Sequence, residues 1–434
     1  SGLASATYLQ SKGSIVTVSE QRPKQELASE IQSLKVQGIS YEVGGHQIET
    51  FLETDCIVVS PGVPLNLFPI KKAFDQGIEV ISEVELAYRV ISGKIIGITG
   101  SNGKTTTTTL VGKILKSAGF HVQVGGNIGV PLISLVQSST RETINVVELS
   151  SFQLEAIPSF RPDIAVILNI TPDHMDRYDS LENYSRAKFN ILSNQVPQDF
   201  SVFNHDDPLL RQFCGKSSAK RYWFSTASVV SRGSYIKKGQ MVFCDQKRLE
   251  SVIDLDIVRL KGVHNLENIA AAVTVSSLMK CNSLAVRETV HSFRGIPHRL
   301  EKIRELNGVE FYNDSKATNL ASTQTAIRAF REGIVLILGG RDKGSDFSIL
   351  RPLIIQRVKS LVLLGEASQK IKSQLDGTVP VEQVSTMHGA VNAAFRCSQP
   401  GDVVLLAPAC SSFDMFENYN DRGNTYRELV NQLQ

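Results

Sequence analysis

Residues 94–106 read KIIGITGSNGKTT, and this stretch decides how the central part of the chain folds. The apolar run over residues 94–98 predicts a buried strand, and a glycine-rich turn follows it. Residues 105–118 predict a helix, because apolar side chains recur at helical spacing between Leu110 and Leu115. A strand, a glycine turn and a helix in this order predict an α/β layer with a ligand site at the turn.

The turn itself has the composition of a phosphate-binding loop. Glycines let backbone N–H groups approach phosphate oxygens, and a helix N-terminus adds its partial positive charge. Lys104 is placed to reach the terminal phosphates of a nucleotide, and the Thr105 hydroxyl is placed to bind Mg²⁺. The glycine spacing differs from the common phosphate-loop pattern, so an ordinary strand-turn-helix is the alternative interpretation.

Composition limits the class of protein. The chain has 434 residues, which predicts two or three domains, and its 46 basic and 43 acidic residues give no reason to expect nucleic-acid binding. The six cysteines form no C-x-x-C pair, which favours a reducing cytosol over a disulfide framework. No apolar run approaches the ~18 residues of a membrane span. We therefore expect a cytoplasmic protein with no membrane partner, and we expect a monomer.

Polar residues end the next strand-like runs. Glu148 closes the run that begins at Asn145, and Asp173 and His174 follow the run over residues 164–169. Because the carboxyl ends of parallel strands share one sheet edge, these side chains are expected beside Lys104. A glutamate there suits Mg²⁺, although each residue taken singly is more often solvated or packed. Strands alternate with helices over residues 94–280 and predict a parallel sheet. Residues 200–256 are expected to be irregular, with short strands such as the one over residues 240–243.

The two ends of the chain also read as α/β. A helix to about Ser11 is followed by a strand over residues 14–18, and this start leads us to expect that a first strand is missing. Lys188 lies on a predicted helix after residue 181, where a lysine is usually a surface charge. Near Gly295 a glycine-proline turn predicts a linker, and four further apolar runs with polar ends follow it.

Seven segments of distinctive sequence are spread over nearly the whole chain. They are residues 100–105 (GSNGKT), 148–155 (ELSSFQLE), 169–178 (NITPDHMDRY), 297–301 (PHRLE), 313–319 (NDSKATN), 407–414 (APACSSFD) and 422–424 (RGN). Together they resemble the segments of the Mur ligase family. ELSSFQLE and NDSKATN resemble its D-glutamate-adding branch, whereas the phosphate loop is shared across the Mur and folylpolyglutamate ligases.

The resemblance implies three α/β domains. Residues 1–92 would form a truncated Rossmann-like domain that binds the UDP substrate and lacks its first strand. Residues 93–295 would form a P-loop-type ATPase domain, and residues 296–434 a Rossmann-like domain that binds the amino acid. The implied reaction uses ATP to activate the carboxylate of UDP-N-acetylmuramoyl-L-alanine as an acyl phosphate, which the amine of D-glutamate then attacks.

The resemblance also implies residue roles. Lys104, Glu148, His174 and Lys188 would be catalytic, with Lys188 carbamylated by CO₂, and two Mg²⁺ ions would lie on Thr105, Glu148, His174 and Lys188. ATP would contact Gly100, Ser101, Asn102, Gly103, Lys104, Thr105, Thr106, Asn268, Arg299, Asp314 and Lys316. The UDP substrate would contact Glu20, Gln21, Arg22, Ser60, Pro61, Gly62 and Asn127, and D-glutamate would contact Thr318, Lys343, Ser412 and Tyr419.

Two other functions are open at this point. A related ligase would add a different amino acid, either in a later peptidoglycan step or in folylpolyglutamate synthesis. A regulatory or transport ATPase would use the loop as a switch, and it would carry an aspartate at the strand end as metal partner. Here the strand ends in Glu148, and the switch hypothesis gives no reason for a third α/β unit.

Overall fold

The computed structural model describes residues 1–175, 177–213, 217–246, 248–260, 262–342 and 344–434. The chain divides into two compact units, residues 1–259 with 263–293, and residues 260–262 with 294–434. No helix within these described ranges is long and apolar enough to cross a membrane.

The first part of unit 1 contains two parallel strand pairs, β1 with β2 and β3 with β4. The predicted strand over residues 14–18 begins later, at Thr17, and Ile15 is fully exposed. The elements are α1 (Gly2–Ser11), β1 (Thr17–Glu20), α2 (Ala28–Val36), β2 (Ser40–Val43), α3 (Ile48–Leu52), β3 (Cys56–Val59), α4 (Phe68–Asp75), β4 (Glu79–Ser82) and α5 (Glu83–Tyr88).

The rest of unit 1 is built on a nine-stranded sheet with the order β13-β12-β11-β10-β9-β8-β5-β7-β6. Its strands are β5 (Lys94–Thr99), β6 (Val122–Gly126), β7 (Ile144–Glu148), β8 (Ile164–Ile167), β9 (Phe200–Asn204), β10 (Lys220–Phe224), β11 (Arg232–Lys237), β12 (Gln240–Asp245) and β13 (Arg248–Asp254). Its helices are α6 (Lys104–Ser117), α7 (Leu132–Leu135), α8 (Leu181–Phe189), α9 (Pro208–Phe213), α10 (Val263–Leu278) and α11 (Ser283–Ser292).

The central strand β5 follows the sequence prediction closely. Only its first residue, Lys94, is exposed, and the strand pairs in parallel with β7 on one side and β8 on the other. A strand covered on both faces needs a continuous apolar run, which the isoleucines supply. The helix α6 begins at Lys104, directly after the glycine turn, and its apolar side chains from Leu110 to Leu115 are buried.

Residues 200–256 are more regular than expected, and the short strand predicted over residues 240–243 is present as part of β12. Five strands lie there, and β11, β12 and β13 pair antiparallel at the edge of an otherwise parallel sheet. Lys238 and Gly239 both have positive φ, 48° and 78°, and they close a two-residue hairpin between β11 and β12. These strands have no regular alternation of polar and apolar residues, and a Lys-Gly turn is a weaker hairpin signal than Asn-Gly.

Unit 2 holds a six-stranded sheet with the order β14-β15-β19-β16-β17-β18, parallel except at β14. Helices pack over both faces of apolar strands such as β16, so the predicted α/β class is confirmed. The elements are β14 (Glu301–Leu306), β15 (Val309–Asn313), α12 (Leu320–Arg328), β16 (Ile334–Gly339), α13 (Arg351–Arg357), β17 (Val358–Leu364), α14 (Ser368–Leu375), β18 (Val381–Val384), α15 (Met387–Arg396), β19 (Val403–Leu406) and α16 (Tyr419–Gln432).

A buried carboxylate holds α5 against the loop that precedes β8. Glu85 is 0% exposed and accepts hydrogen bonds from the backbone N–H groups of Phe160, at 2.8 Å, and Ser159, at 3.2 Å. It also accepts from the Ser159 hydroxyl and from Arg89 Nε, the latter at 3.0 Å. Removing it leaves the buried N–H of Phe160 and the less buried donors of Ser159 and Arg89 without this acceptor.

We expect Glu85→Ala to lower the free energy of unfolding of unit 1 by about 3 kcal/mol, because it leaves those donors unpaired. Thermal unfolding measured by circular dichroism checks this. Glu79→Ala is the matched control, since it removes the exposed partner of the same Arg89 and should cost less than about 1 kcal/mol. If the two variants lost equal amounts of free energy of unfolding, the stabilising role given to the buried hydrogen bonds of Glu85 would be wrong.

Candidate active site

The last residue of the glycine turn between β5 and α6 has a backbone conformation that favours glycine, and the space beside it is too small for a side chain. Gly103 has φ 82°, and a Cβ there would lie 2.1 Å from Oδ1 of Asn268, on α10. The Thr107 hydroxyl donates to the same Oδ1 at 3.2 Å. Asn268 is buried (5% exposed) and packs directly against this turn. The family resemblance had placed it among the residues that contact ATP.

Two lysines meet at one carbonyl of this turn. Lys104 Nζ donates to the carbonyl of Gly100 at 2.8 Å, and Lys188 Nζ donates to the same carbonyl at 2.9 Å. Lys188 is 1% exposed, contrary to the surface position that is usual for a lysine on a helix. Burial, and then the charge of Lys104, lower the pKa of Lys188 well below its ordinary value. This environment favours the neutral amine of Lys188 over the ammonium form.

Glu148 lies at the same sheet edge. It ends β7 in register with Ile98 of β5 and is 2% exposed. Its Oε1 accepts a hydrogen bond from Asn127 Nδ2 at 2.9 Å, and the Asn127 backbone N–H donates to the Glu148 carbonyl at 2.8 Å. Its Oε2 is buried and accepts no hydrogen bond from any residue that the structure describes. The predicted substrate residue Asn127 thus orients Glu148.

His174 is more open than the other three predicted catalytic residues. Its side chain is 47% exposed, and its ring lies 4.8 Å, centroid to centroid, from that of Phe152. Asp173 Oδ2 lies 3.6 Å from His174 Nε2, and the charge of Asp173 acts on Lys188. Among the described contacts, none joins His174 to Lys104, Glu148 or Lys188.

The residues predicted to contact UDP follow β1 and β3. Glu20 accepts from the backbone N–H and Nη2 of Arg22, both at 3.1 Å, and these bonds lower the pKa of Glu20. Ser60, Pro61 and Gly62 form the turn after β3, where the predicted diphosphate contacts lie. Glu20 and Ser60 each stand at or beyond the carboxyl end of a parallel strand, the usual ligand edge.

Unit 2 holds a buried acid among the predicted ATP residues. Asp314 follows β15, is 8% exposed, and its backbone N–H donates to the carbonyl of Leu406 at 2.7 Å. Burial raises the pKa of Asp314 to about 7, although the charge of Arg299 and the N–H of Leu300 act against that rise. The carboxyl is therefore half-protonated near neutral pH.

Lys316 and Tyr419 connect the predicted ATP and D-glutamate residues of unit 2. Lys316 Nζ donates to the Tyr419 hydroxyl at 3.0 Å and lies 4.5 Å from the centre of its ring. Ser412 is 2% exposed, and Thr318 is half-buried with its backbone N–H donating to the carbonyl of Lys316 at 2.8 Å. Lys343, also predicted to contact D-glutamate, lies outside the described residues.

Comparison with known proteins identifies the family. Three family models match, the Mur ligase MurD-like N-terminal domain over residues 1–82, the Mur ligase middle domain over 98–276, and the Mur ligase glutamate ligase domain over 298–410. The UDP-N-acetylmuramoylalanine–D-glutamate ligase of Acidobacterium capsulatum is 49% identical over 99% of this chain and 94% of its own length. The chain belongs to the Mur ligase family. The ligase of the same description from Koribacter versatilis is 44% identical over 100% of this chain and 95% of its own.

Solved structures show the same fold. A pseudomurein peptide ligase type C from Methanothermus fervidus superimposes with a TM-score of 0.60 at 18% identity, covering 99% of this chain and 97% of that one. The UDP-N-acetylmuramate–alanine ligase of Thermotoga maritima gives a TM-score of 0.58 at 17% identity, covering 98% and 96%. The predicted three-domain α/β architecture of a Mur ligase is thereby confirmed.

The donor set of this Mur ligase fits Mg²⁺ better than a transition metal. No group of three or more His, Cys, Asp or Glu that could hold a metal occurs in the described part of the chain. Mg²⁺ takes one or two protein oxygens and completes its shell with water and phosphate. The buried, unpartnered Oε2 of Glu148 is such an oxygen. Thr105, in the first turn of helix α6, offers a hydroxyl oxygen as a second protein ligand.

Two residues that sequence reasoning gave no role hold the site together. Tyr184 is 1% exposed, its hydroxyl lies 3.0 Å from Ser101 Oγ, and its ring lies 4.5 Å from Lys188 Nζ. The spacing of Tyr184 and Lys188, four residues apart on one helix, was the available signal. Arg177 donates to Glu155 Oε2 at 2.8 Å and to the carbonyls of residues 61–63 at 3.2–3.3 Å.

We expect Asp314→Asn to stabilise unit 2 in a pH-dependent manner. Below about pH 3 Asp314 is neutral in both the folded and the unfolded chain, so burying the carboxyl carries no cost of suppressing ionisation. As the pH rises to 7 only the unfolded chain ionises freely, and the cost grows to an upper limit of about 4 kcal/mol.

The asparagine variant should therefore match the parent near pH 3 and exceed its free energy of unfolding by a few kcal/mol at pH 8. Urea unfolding at both pH values measures the difference. Asp376→Asn, at an exposed position of the same unit, is the control and should show no such trend. If the difference in free energy of unfolding between Asp314→Asn and the parent became smaller as the pH rises, the explanation by burial of Asp314 would be wrong.

Proposed function

We propose that this chain is an ATP-dependent ligase that joins D-glutamate to UDP-N-acetylmuramoyl-L-alanine, releasing ADP and phosphate, in peptidoglycan precursor synthesis. The observation that carries the proposal is the cluster of Lys104, Lys188 and Glu148 around the glycine turn, in a chain 49% identical to a ligase of that description. The substrate carboxylate would attack the terminal phosphorus of ATP and expel ADP. The amine of D-glutamate would then attack the acyl carbon, lose a proton and expel phosphate.

Phosphoryl transfer of this kind needs alignment and charge neutralisation rather than covalent chemistry by the protein. Lys104 supplies a positive charge at the turn, and the residues over 100–106 and Asn268 shape the phosphate cradle. Mg²⁺, held by Thr105 and Glu148, would neutralise the phosphate oxygens. We assign the second ion to His174 and Lys188.

We propose that Lys188 is carbamylated. A neutral amine attacks CO₂ and loses a proton to give a carbamate, whereas an ammonium group cannot. The buried position of Lys188 and its shared acceptor with Lys104 favour the neutral amine. Carbamylation would replace a contact between two basic groups with an anion beside the Lys104 cation, and it would add a second oxygen ligand for metal.

The remaining roles follow the family assignment. We propose that residues 1–92 bind the UDP substrate, 93–295 bind ATP, and 296–434 bind the amino acid. Thr318, Lys343, Ser412 and Tyr419 would hold D-glutamate, while Arg299, Asp314 and Lys316 would contact ATP. The free cysteines at five described positions agree with a reducing compartment, and we propose a cytoplasmic monomer.

Phosphate release from ATP tests the reaction. We expect release only when UDP-N-acetylmuramoyl-L-alanine and D-glutamate are both present, because the acyl phosphate forms on the first and is consumed by the second. A coupled phosphate assay with each substrate omitted in turn measures this. Turnover without the muramoyl substrate would indicate a switch ATPase, and turnover with L-lysine or a folate in place of the substrates would indicate a different ligase.

Lys188→Ala should abolish turnover, and short carboxylic acids such as acetate should partly restore it by supplying the missing carboxylate. Lys116→Ala, at an exposed position of α6, is the control and should retain full activity. Labelling with ¹³C-bicarbonate gives a readout apart from activity, since a carbamate carbon signal should appear in the parent and be absent from Lys188→Ala. Undiminished turnover of the alanine variant would refute the role.

A further inference from the structure

Arg422 is a buried cation in unit 2 to which the family resemblance gave a segment but no role. It lies in the first turn of α16 and is 2% exposed. Its Nε donates to Ser315 Oγ at 2.9 Å, its Nη2 to the Ser315 carbonyl at 2.8 Å, and its Nη1 to the Cys410 carbonyl at 3.1 Å. The guanidinium therefore joins two turns that are distant in sequence.

These turns carry the residues proposed for the substrates. Ser315 directly precedes Lys316, and its hydroxyl also donates to the carbonyl of Tyr419 at 2.8 Å. Cys410 lies two residues before Ser412. A third turn, after β16, approaches as well, since a Cβ on Gly340 would lie 3.2 Å from Arg422 Nη1. Arg422 thus lies behind the carboxyl ends of three neighbouring strands, β15, β19 and β16.

The charge of Arg422 lacks a partner of opposite sign. All three acceptors are neutral, and within the described ranges no carboxylate forms an ion pair with it. The charge of Asp414 acts on Arg422, but its Oδ2 accepts from the backbone N–H of Glu366 at 3.1 Å instead. Burial lowers the pKa of Arg422 to about 10, so it stays charged at neutral pH.

A buried charge without a counter-charge is unfavourable in the folded protein, and an anionic ligand nearby relieves the cost. Neutral side chains of the same length would fill the space without that cost. The attraction between unlike charges inside protein extends over several ångströms, so the guanidinium need not touch the ligand to favour it. The ligand that such a site selects is one with more negative charge than an ordinary amino acid.

We infer that Arg422 is a specificity-determining positioning residue: its unpaired guanidinium selects a dicarboxylic amino acid over a neutral one of the same shape. This inference rests on the proposed D-glutamate pocket of unit 2. Arg422 acts from behind the pocket, by charge and by holding the turns at Ser315 and Cys410, and it takes no part in the chemical steps.

The test compares D-glutamate with D-glutamine, which has nearly the same shape and one negative charge fewer. In the full-length enzyme, the KM for D-glutamate and the inhibition constant for D-glutamine are measured in the parent, Arg422→Met and Arg422→Lys. We expect Arg422→Met to reduce the preference for D-glutamate at least tenfold while the KM for ATP stays within about twofold. Arg422→Lys, which keeps the charge, should preserve the preference within about threefold and lower kcat.

Arg304→Met is the matched control. Arg304 donates to the carbonyls of Val430, Asn431 and Leu433, at 3.0–3.3 Å, and so holds the opposite end of α16 through three neutral acceptors. This variant should lower the melting temperature without changing the preference between the two amino acids. A purely structural role for Arg422 would give the same result as this control.

An unchanged preference in Arg422→Met, or an equal loss for D-glutamate and D-glutamine, overturns the inference. Where the methionine variant does not fold, the lysine variant decides: a preference that collapses although the charge is retained also overturns it. The parent enzyme separates this inference from the proposed function. If the parent releases no phosphate with D-glutamate, the function is wrong; if it does and the preference survives Arg422→Met, only the role of Arg422 is wrong.

Discussion

The carbonyl of Gly100 accepts hydrogen bonds from Lys104 and Lys188, and this shared acceptor holds both lysines at the glycine turn of unit 1. The carbonyl points where it does because Gly100 has φ 150° and its Cα lies against Leu168, where a Cβ would come within 2.9 Å. A glycine turn usually presents N–H groups to phosphate. Here its carbonyl also accepts from two lysines, and burial and the nearby charge of Lys104 lower the pKa of the more buried one, Lys188.

The local sequence predicts the strands and the helix that form this site, but it does not identify the buried side chains inside it. β5, α6 and the strand end at Glu148 follow from apolar periodicity and glycine placement, which are local properties of the chain. Lys188 could not be selected from its own surroundings, since burial of a lysine depends on which elements pack over α8. Tyr184 and Arg422 were missed for the same reason: their partners, Ser101 and Ser315, lie 83 and 107 residues away.

The same limit explains why residues 200–256 were expected to be largely irregular, with only the strand over residues 240–243 named. The strands β9 to β13 are five to seven residues long, and several carry charged residues on their exposed sides. Their identity as strands comes from pairing with the edge of a sheet that already exists, which a local pattern does not encode. By contrast, β16 and β19 of unit 2 are buried throughout, and their unbroken apolar runs were recognised directly.

Each unit places incompletely compensated polar groups at the carboxyl edge of its sheet. In unit 1 these are the buried amine of Lys188 and the unpartnered Oε2 of Glu148; in unit 2 they are Asp314 and Arg422. Each lowers the stability of the fold without a ligand, because buried polar groups and charges are costly unless paired. Nucleotide, Mg²⁺ and an acidic amino acid bring the charges that these groups lack. The ligands of the proposed reaction would therefore pair with the uncompensated groups of both units. The same groups that lower the stability of the ligand-free fold would favour the binding of charged substrates.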